Sequence, residues 1–153
     1  MAVSKGASVQ ITGLSELRQK LAGLNLTDEL KDANEYVAEY VVDKAEPRMR
    51  GLGAMGARAA MTMKATRSGV AARISGGSDS VPFFSGVEFG AVRGVPRSSA
   101  KRQLEGWNQF QPWRGSGQDA GYALYPTIRS SASEIARVYE KEIDRILRPA
   151  FPD

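Results

Sequence analysis

The residue types best suited to proton transfer, thiol chemistry and metal binding are missing, because the chain contains no histidine and no cysteine. Histidine transfers protons most readily near neutral pH, and both residues are common metal ligands. Without cysteine, a disulfide framework is also excluded. Carboxylates, lysines and serines remain available, so catalysis is not ruled out, but no catalytic arrangement of them is evident. The composition therefore favours a non-enzymatic protein with no cofactor, no metal and no catalytic residues.

Glu88 is the one charged residue in an otherwise apolar stretch, residues 81–90, where it forms part of the string Val87-Glu88-Phe89-Gly90. A carboxylate in such surroundings often contacts an arginine of the same or a neighbouring subunit. We therefore expect an interface contact or a structural ion pair. The alternative is a solvent-facing glutamate before a turn glycine. No second carboxylate or base lies nearby in the sequence, so a catalytic role is not expected.

Positive charge is concentrated in the middle of the chain. Residues 48–114 contain eleven basic and three acidic side chains, whereas residues 1–47 contain five basic and eight acidic ones. The basic residues between 91 and 114 are Arg93, Arg97, Lys101, Arg102 and Arg114. Solvated surface charge is the favoured interpretation, followed by docking on an acidic protein neighbour and by contact with DNA phosphates. Neither zinc-finger spacing, nor a helix-turn-helix, nor a basic zipper is present.

Apolar residues at helical spacing predict three helices. The first runs from Ser15 to Leu24. The second, longer helix has Thr27 as its expected N-cap and ends or bends at Pro47. Its apolar stripe consists of Leu30, Ala33, Val37, Val41, Ala45 and Met49. The third begins near Pro126 and stops at Pro149.

Between the second and third helices, the pattern predicts a small antiparallel sheet. Residues 51–56 form a glycine-rich break, and residues 60–66 and 69–75 resemble two strands joined by a turn. Residues 81–90 fit either a strand or a single helical turn. The order of elements indicates one α+β domain spanning residues 1–153, with two N-terminal helices, a small sheet, a long irregular arm and a C-terminal helix.

The arm, residues 91–121, is rich in arginine, glycine, serine and glutamine and holds both tryptophans, Trp107 and Trp113. Irregular segments of this length are usually functional, and tryptophan, tyrosine and arginine are favoured interface anchors. We expect the arm to bind a neighbouring subunit, whereas Tyr125 packs within its own chain. The candidate interface residues are Glu88, Phe89, Arg93, Arg97, Trp107, Phe110, Trp113, Arg114 and Tyr122. The alternative is that the arm's aromatic side chains fold back onto the core.

Several short strings share their order and spacing with a known family. They are Val9-Gln10-Ile11-Thr12-Gly13-Leu14-Ser15-Glu16-Leu17, Val87-Glu88-Phe89-Gly90, Phe110-Gln111-Pro112-Trp113-Arg114-Gly115, Gly121-Tyr122 and Leu124-Tyr125-Pro126-Thr127-Ile128-Arg129. Together they resemble the tail-completion or head–tail connector (neck) proteins of long-tailed, siphovirus-like bacteriophages. The similarity covers nearly the whole chain, and the last three strings are similar to a variant in phages of actinobacteria. Residues 51–58 depart from the family's usual segment after the long helix.

The resemblance implies a structural virion protein that forms a homo-oligomeric ring around the DNA channel and joins head to tail. Six copies are the preferred number and twelve the alternative. Its partners would be neighbouring neck and tail proteins, and DNA would pass without sequence-specific binding. The protein would be made in the host bacterial cytoplasm and assembled into the virion, and no apolar run of about 20 residues predicts a membrane span. The competing hypothesis is a small basic protein that binds nucleic acid non-specifically.

Overall fold

Five helices and a two-stranded antiparallel sheet form the part of the chain that the computed structural model describes, residues 26–92 and 109–148. In chain order they are α1 (Thr27–Arg50), α2 (Ala54–Ala60), β1 (Lys64–Thr66), β2 (Arg73–Ser75), α3 (Phe84–Phe89), α4 (Leu124–Ser130) and α5 (Ala132–Leu147). This architecture confirms the α+β class. The helix predicted from Ser15 to Leu24 lies outside the described residues.

Helix α1 is the central element, and its predicted apolar stripe is confirmed. Five of the six stripe residues are buried, namely Ala33, Val37, Val41, Ala45 and Met49, while Leu30 is half-buried. Thr27 is the first helical residue rather than a side-chain cap, because the N-cap position is Leu26 and no side chain caps it. Pro47 lies inside the helix, which continues to Arg50. The ion pair between Arg50 and Glu46, 2.6 Å apart on adjacent turns, supports this last turn.

The predicted hairpin exists, but its strands are shorter than expected. Lys64 pairs with Ser75, Ala65 with Ile74 and Thr66 with Arg73. The prediction of a strand from residue 60 was wrong, because Ala54–Ala60 forms α2. Alanine is the strongest helix former, and four of the seven residues of α2 are alanine. The glycine-rich break is therefore limited to the residues between α1 and α2.

The hairpin is fixed to α1 by its turn. Asn34 Nδ2 on α1 donates a hydrogen bond to the carbonyl oxygen of Ser68 at 2.7 Å. Arg67 forms an ion pair with Asp32 at 2.7 Å and approaches Asp28 at 3.7 Å. Hydrogen bonding to Lys31, the charge of Lys31 and the charge of Arg67 lower the pKa of the Asp28 carboxyl. The side of the hairpin that carries Ala65 and Ile74 is half-buried, and Ile74 packs against the core.

The last predicted helix is divided in two. Helix α4 ends at Ser130, and Ser131 leaves helical geometry with φ −108° and ψ 11° before α5 begins. The first turn of α5 is joined to α1, because Tyr40 Oη and Lys44 Nζ both donate to the Glu134 carboxylate. The hydrogen bond from Lys44 is the main cause of the lowered pKa of Glu134, and the same bond raises the pKa of Lys44.

The main core cluster lies between α1, α2, α3 and α4. Its buried members are Val41, Ala45, Met49, Ala59, Ala60, Met63, Val81, Val87, Ala123 and Leu124. Residues 81–90, which fitted either a strand or a helical turn, contain the short helix α3. Helix α3 places Val87 in the core and presents the neighbouring Glu88 to the start of α4.

Candidate functional site

Glu88 is buried, with 1% of its surface exposed, and its carboxylate binds main-chain amides at the start of α4. Oε2 accepts hydrogen bonds from the amides of Ala123 at 3.2 Å and Leu124 at 2.9 Å. Oε1 accepts one from the amide of Tyr125 at 3.0 Å. The alternative of a solvent-facing carboxylate is therefore wrong, and the partners of this side chain among the described residues are main-chain amides and not an arginine.

The physical reason for this arrangement lies in the N-terminus of α4. The first amides of a helix have no acceptor within the helix, and its dipole favours negative charge at that end. The N-cap residue of α4 is Ala123, whose side chain cannot accept a hydrogen bond. The Glu88 carboxylate, 35 residues earlier in the chain, supplies the missing acceptor. Both carboxylate oxygens of Glu88 therefore make structural contacts with the main chain at the start of α4.

The second half of the predicted arm is part of the domain. The amide of Ala91 donates to Gln111 O at 2.9 Å, and the amide of Arg114 donates to Phe89 O at 2.6 Å. Ala91 and Pro112 also form an isolated parallel bridge. These bonds hold residues 109–114 beside the end of α3. Residues 109–121 are irregular, as predicted, but this half of the arm is bonded to the end of α3 and does not reach away from the domain.

Phe110, which was predicted as an intersubunit anchor, packs on its own chain. The side chain is half-buried against the main core cluster. A Cβ atom added to Gly86 of α3 would lie 2.6 Å from the Phe110 ring, closer than van der Waals contact allows. The absence of a side chain at Gly86 thus makes room for Phe110. For this residue, the alternative in which the arm's aromatic side chains return to the core is the correct one.

Other aromatic side chains remain exposed on the neighbouring surface. Trp113 is 55% exposed and Tyr125 is 46% exposed. Tyr125 packs edge-on against Phe89, with ring centroids 5.2 Å apart. The guanidinium of Arg114 lies 4.5 Å from the centre of the Tyr122 ring, and Tyr122 Oη donates to Pro112 O at 2.7 Å. We call Phe89, Trp113, Arg114, Tyr122 and Tyr125 the aromatic surface.

Four of these five residues were interface candidates from the sequence, and the fifth, Tyr125, was expected to pack within its own chain. Phe89, Trp113, Arg114 and Tyr122 were expected at an interface, and the structure brings them together in one region. Tyr125 packs within its own chain against Phe89, as expected, and 46% of its surface is also exposed. Tyr125 directly precedes Pro126 at the expected start of a helix, and nothing in this position predicts that the side chain is exposed. The remaining candidates, Arg93, Arg97 and Trp107, lie outside the described residues.

Two further observations concern the described residues as a whole. Residues 26–92 and 109–148 contain no group of three or more carboxylates arranged to hold a metal ion. Within the same ranges, no helix combines the length and apolarity needed to cross a bilayer.

Comparisons with protein-family models, with curated proteins and with solved structures give no match to this chain.

Proposed function

We propose that this chain is a non-enzymatic structural subunit of the neck or tail top of a long-tailed bacteriophage. In this proposal it is one copy of a homo-oligomeric ring around the DNA channel and joins head to tail. The main support for the proposal is the exposure of Trp113. This large aromatic side chain is 55% exposed, although its segment is hydrogen-bonded to the rest of the domain. The kind of assembly is taken from the resemblance of the ordered strings to tail-completion and head–tail connector proteins.

The aromatic surface has the chemistry of an interface anchor. A few hot-spot residues carry most of the binding energy in protein interfaces, and tryptophan, tyrosine and arginine are enriched among them. Here these side chains stand on main chain that is held by hydrogen bonds from Arg114 to Phe89 and from Gly121 to Arg114, the latter at 2.7 Å. Because the surface is ordered before binding, little conformational entropy is lost on association. This favours a specific protein partner over a general solvating role.

In a closed ring of identical subunits, one patch of each copy binds a different patch of the next copy. Each copy therefore presents two different patches, one to each neighbour. We assign the aromatic surface to the contact between neighbouring subunits. Six copies are preferred and twelve are the alternative, and neighbouring neck and tail proteins would bind the faces of the ring. DNA would pass through the channel without sequence-specific contacts, and the working location is the assembled virion.

We predict that Trp113→Ala weakens assembly. The purified wild-type chain should form closed rings, visible by electron microscopy and by sedimentation. The variant should show a dissociation constant raised about 30-fold, corresponding to a hot-spot loss of about 2 kcal/mol. Its unfolding midpoint should change little, because the side chain is exposed. Lys141→Ala on the exposed side of α5 is the control and should assemble normally. A wild-type chain that stays monomeric and binds DNA with steep salt dependence would overturn the proposal.

We also predict that residues 94–107 are needed for particle assembly and not for folding. Ala91 and Pro112 are paired, so the chain before this segment meets the chain after it, and a short Gly/Ser linker can join the two. The replaced chain should keep its unfolding midpoint and fail to restore infectious particles in a complementation assay. A deletion of residues 95–119 should instead unfold the domain, because it removes Phe110 and the main-chain bonds of Arg114. Normal particles from the linker variant would contradict the assembly role.

A further inference from the structure

The outer side of α1 carries a row of mostly acidic residues. The positions alternate by three and four, which places them on one helix face. They are Glu29, Asp32, Tyr36, Glu39, Asp43 and Glu46, all exposed except the half-buried Glu46, and we call them the acidic ridge. Tyr36, in the middle of the row, is 51% exposed. The ridge therefore combines negative charge with one aromatic anchor, a composition suited to a basic protein partner.

Part of the ridge is neutralised within the chain and part is not. Asp32 is paired with Arg67 and Glu46 with Arg50. Among residues 26–92 and 109–148, Glu39 and Asp43 form no ion pair. They are one helical turn apart, and like charges at this spacing destabilise a helix. Cations placed over them by another molecule would remove this repulsion.

The hairpin provides a matching basic face. Its outward residues are Lys64, Thr66, Arg73 and Ser75, all exposed, which we call the basic hairpin face. Because Lys64 pairs with Ser75 and Thr66 with Arg73, each cation stands opposite a hydroxyl group. Within the described part of the chain, neither Lys64 nor Arg73 forms an ion pair. The face thus offers two available cations and two hydrogen-bonding hydroxyls.

Among the described residues, neither Lys64 nor Arg73 forms an ion pair with the acidic ridge of its own chain. The hairpin lies against α1, with Ala65 and Ile74 half-buried and the turn tied to Asn34. Since side chains alternate between the two faces of a strand, Lys64 and Arg73 project from the side opposite Ala65 and Ile74. Their exposed side faces away from the helix of their own chain. They are therefore available to the acidic ridge of a second copy.

We infer that the acidic ridge of one copy binds the basic hairpin face of the next copy. The inference rests on the proposed ring function and identifies the charged part of its subunit contact. Charge complementarity argues for a second copy, because the two faces are opposite in sign and differ in position. This is the head-to-tail relation that a closed ring requires. The aromatic surface adds apolar burial to the assembly, and the charged faces give the contact its direction.

The test uses two charge-reversed chains. Glu39→Lys with Asp43→Lys replaces by cations two carboxylates of the ridge that lie next to each other and form no ion pair among the described residues. Lys64→Glu with Arg73→Glu makes the hairpin face acidic. Each chain alone should dissociate, with the dissociation constant raised at least about tenfold at low salt. Mixed in equal amounts, the two chains should assemble, because every contact then joins opposite charges. One chain with all four substitutions should also assemble. Circular dichroism should show that every variant is folded.

The control is Glu140→Lys with Asp144→Lys on α5, which makes the same change of charge at the same helical spacing and should assemble normally. In 1 M salt, where the screening length is about 3 Å, the reversals should have much less effect. If the wild-type chain assembles but the two reversed chains do not rescue each other, the inference is wrong and the proposed function stands. If the wild-type chain is a monomer under all conditions, the proposed function itself fails.

Discussion

The Glu88→Ala variant is expected to lose about 4 kcal/mol of unfolding free energy, a large share of the total for a domain of this size. The substitution leaves the amides of Ala123, Leu124 and Tyr125 without their acceptor. Each unsatisfied buried amide costs about 1–3 kcal/mol, and bonds to a charged group are stronger than neutral ones. Denaturant unfolding followed by circular dichroism measures the loss.

Glu88→Gln is the matched variant for this prediction. Glutamine keeps the shape and one acceptor oxygen, but its NH₂ group faces an amide donor, so we expect about half the loss. Glu140→Ala, at an exposed position on α5, should change stability by less than about 0.5 kcal/mol. A loss below about 1 kcal/mol for Glu88→Ala would show that the carboxylate does not hold the start of α4.

Gly90→Ala is expected to destabilise the domain by more than about 3 kcal/mol. Gly90 has φ 73° and ψ −167°, a region that side-chain-bearing residues rarely adopt. An added Cβ would lie 2.5 Å from Gln111 O and closer still to Pro112 O. Both atoms are main chain and cannot move without breaking the bonds that hold residues 109–114. Thermal unfolding should show a greatly lowered midpoint or no folded protein.

Gly53→Ala separates backbone strain from steric overlap. Gly53 has φ 94° and ψ −166°, close to the conformation of Gly90, but an added Cβ would meet no atom within 4 Å. The Gly53→Ala variant should therefore lose only the unfolding free energy that corresponds to backbone strain, about 1–3 kcal/mol. Equal losses for the two variants would show that close approach of Gln111 and Pro112 to Gly90 is not what excludes a side chain there.

The parts of the fold that sequence predicted well are those set by local periodicity. The stripe from Ala33 to Met49 repeats at helical spacing, and the same spacing decides which residues are buried. Helix α2 was missed because Gly51, Gly53 and Gly56 resemble a break. Gly56 is instead a packing position, where a Cβ would lie 2.9 Å from the side chain of Leu52. The break between α4 and α5 at Ser131 could not be predicted, because the spacing of apolar residues continues through it.

Tertiary partners were the part that sequence could not supply. Glu88 was recognised as unusual because it is charged within an apolar stretch, but its partners are main-chain amides, which have no residue signature. Phe110 and Trp113 lie three residues apart with similar composition around them, yet one packs on the core and the other is exposed. The difference comes from the space above Gly86, a residue of α3, and not from the arm itself.

The pairing of Ala91 with Pro112 has a consequence for how this protein could vary. Two segments of backbone that meet at a point define a junction, and whatever peptide connects them can be exchanged without moving the junction. The entropic cost of closing such a connection rises only slowly with its length. An epitope tag or a longer peptide inserted between Val92 and Gln109 would therefore leave the helices in place. The position separates what the chain must retain in order to fold from what it needs only in the assembled particle.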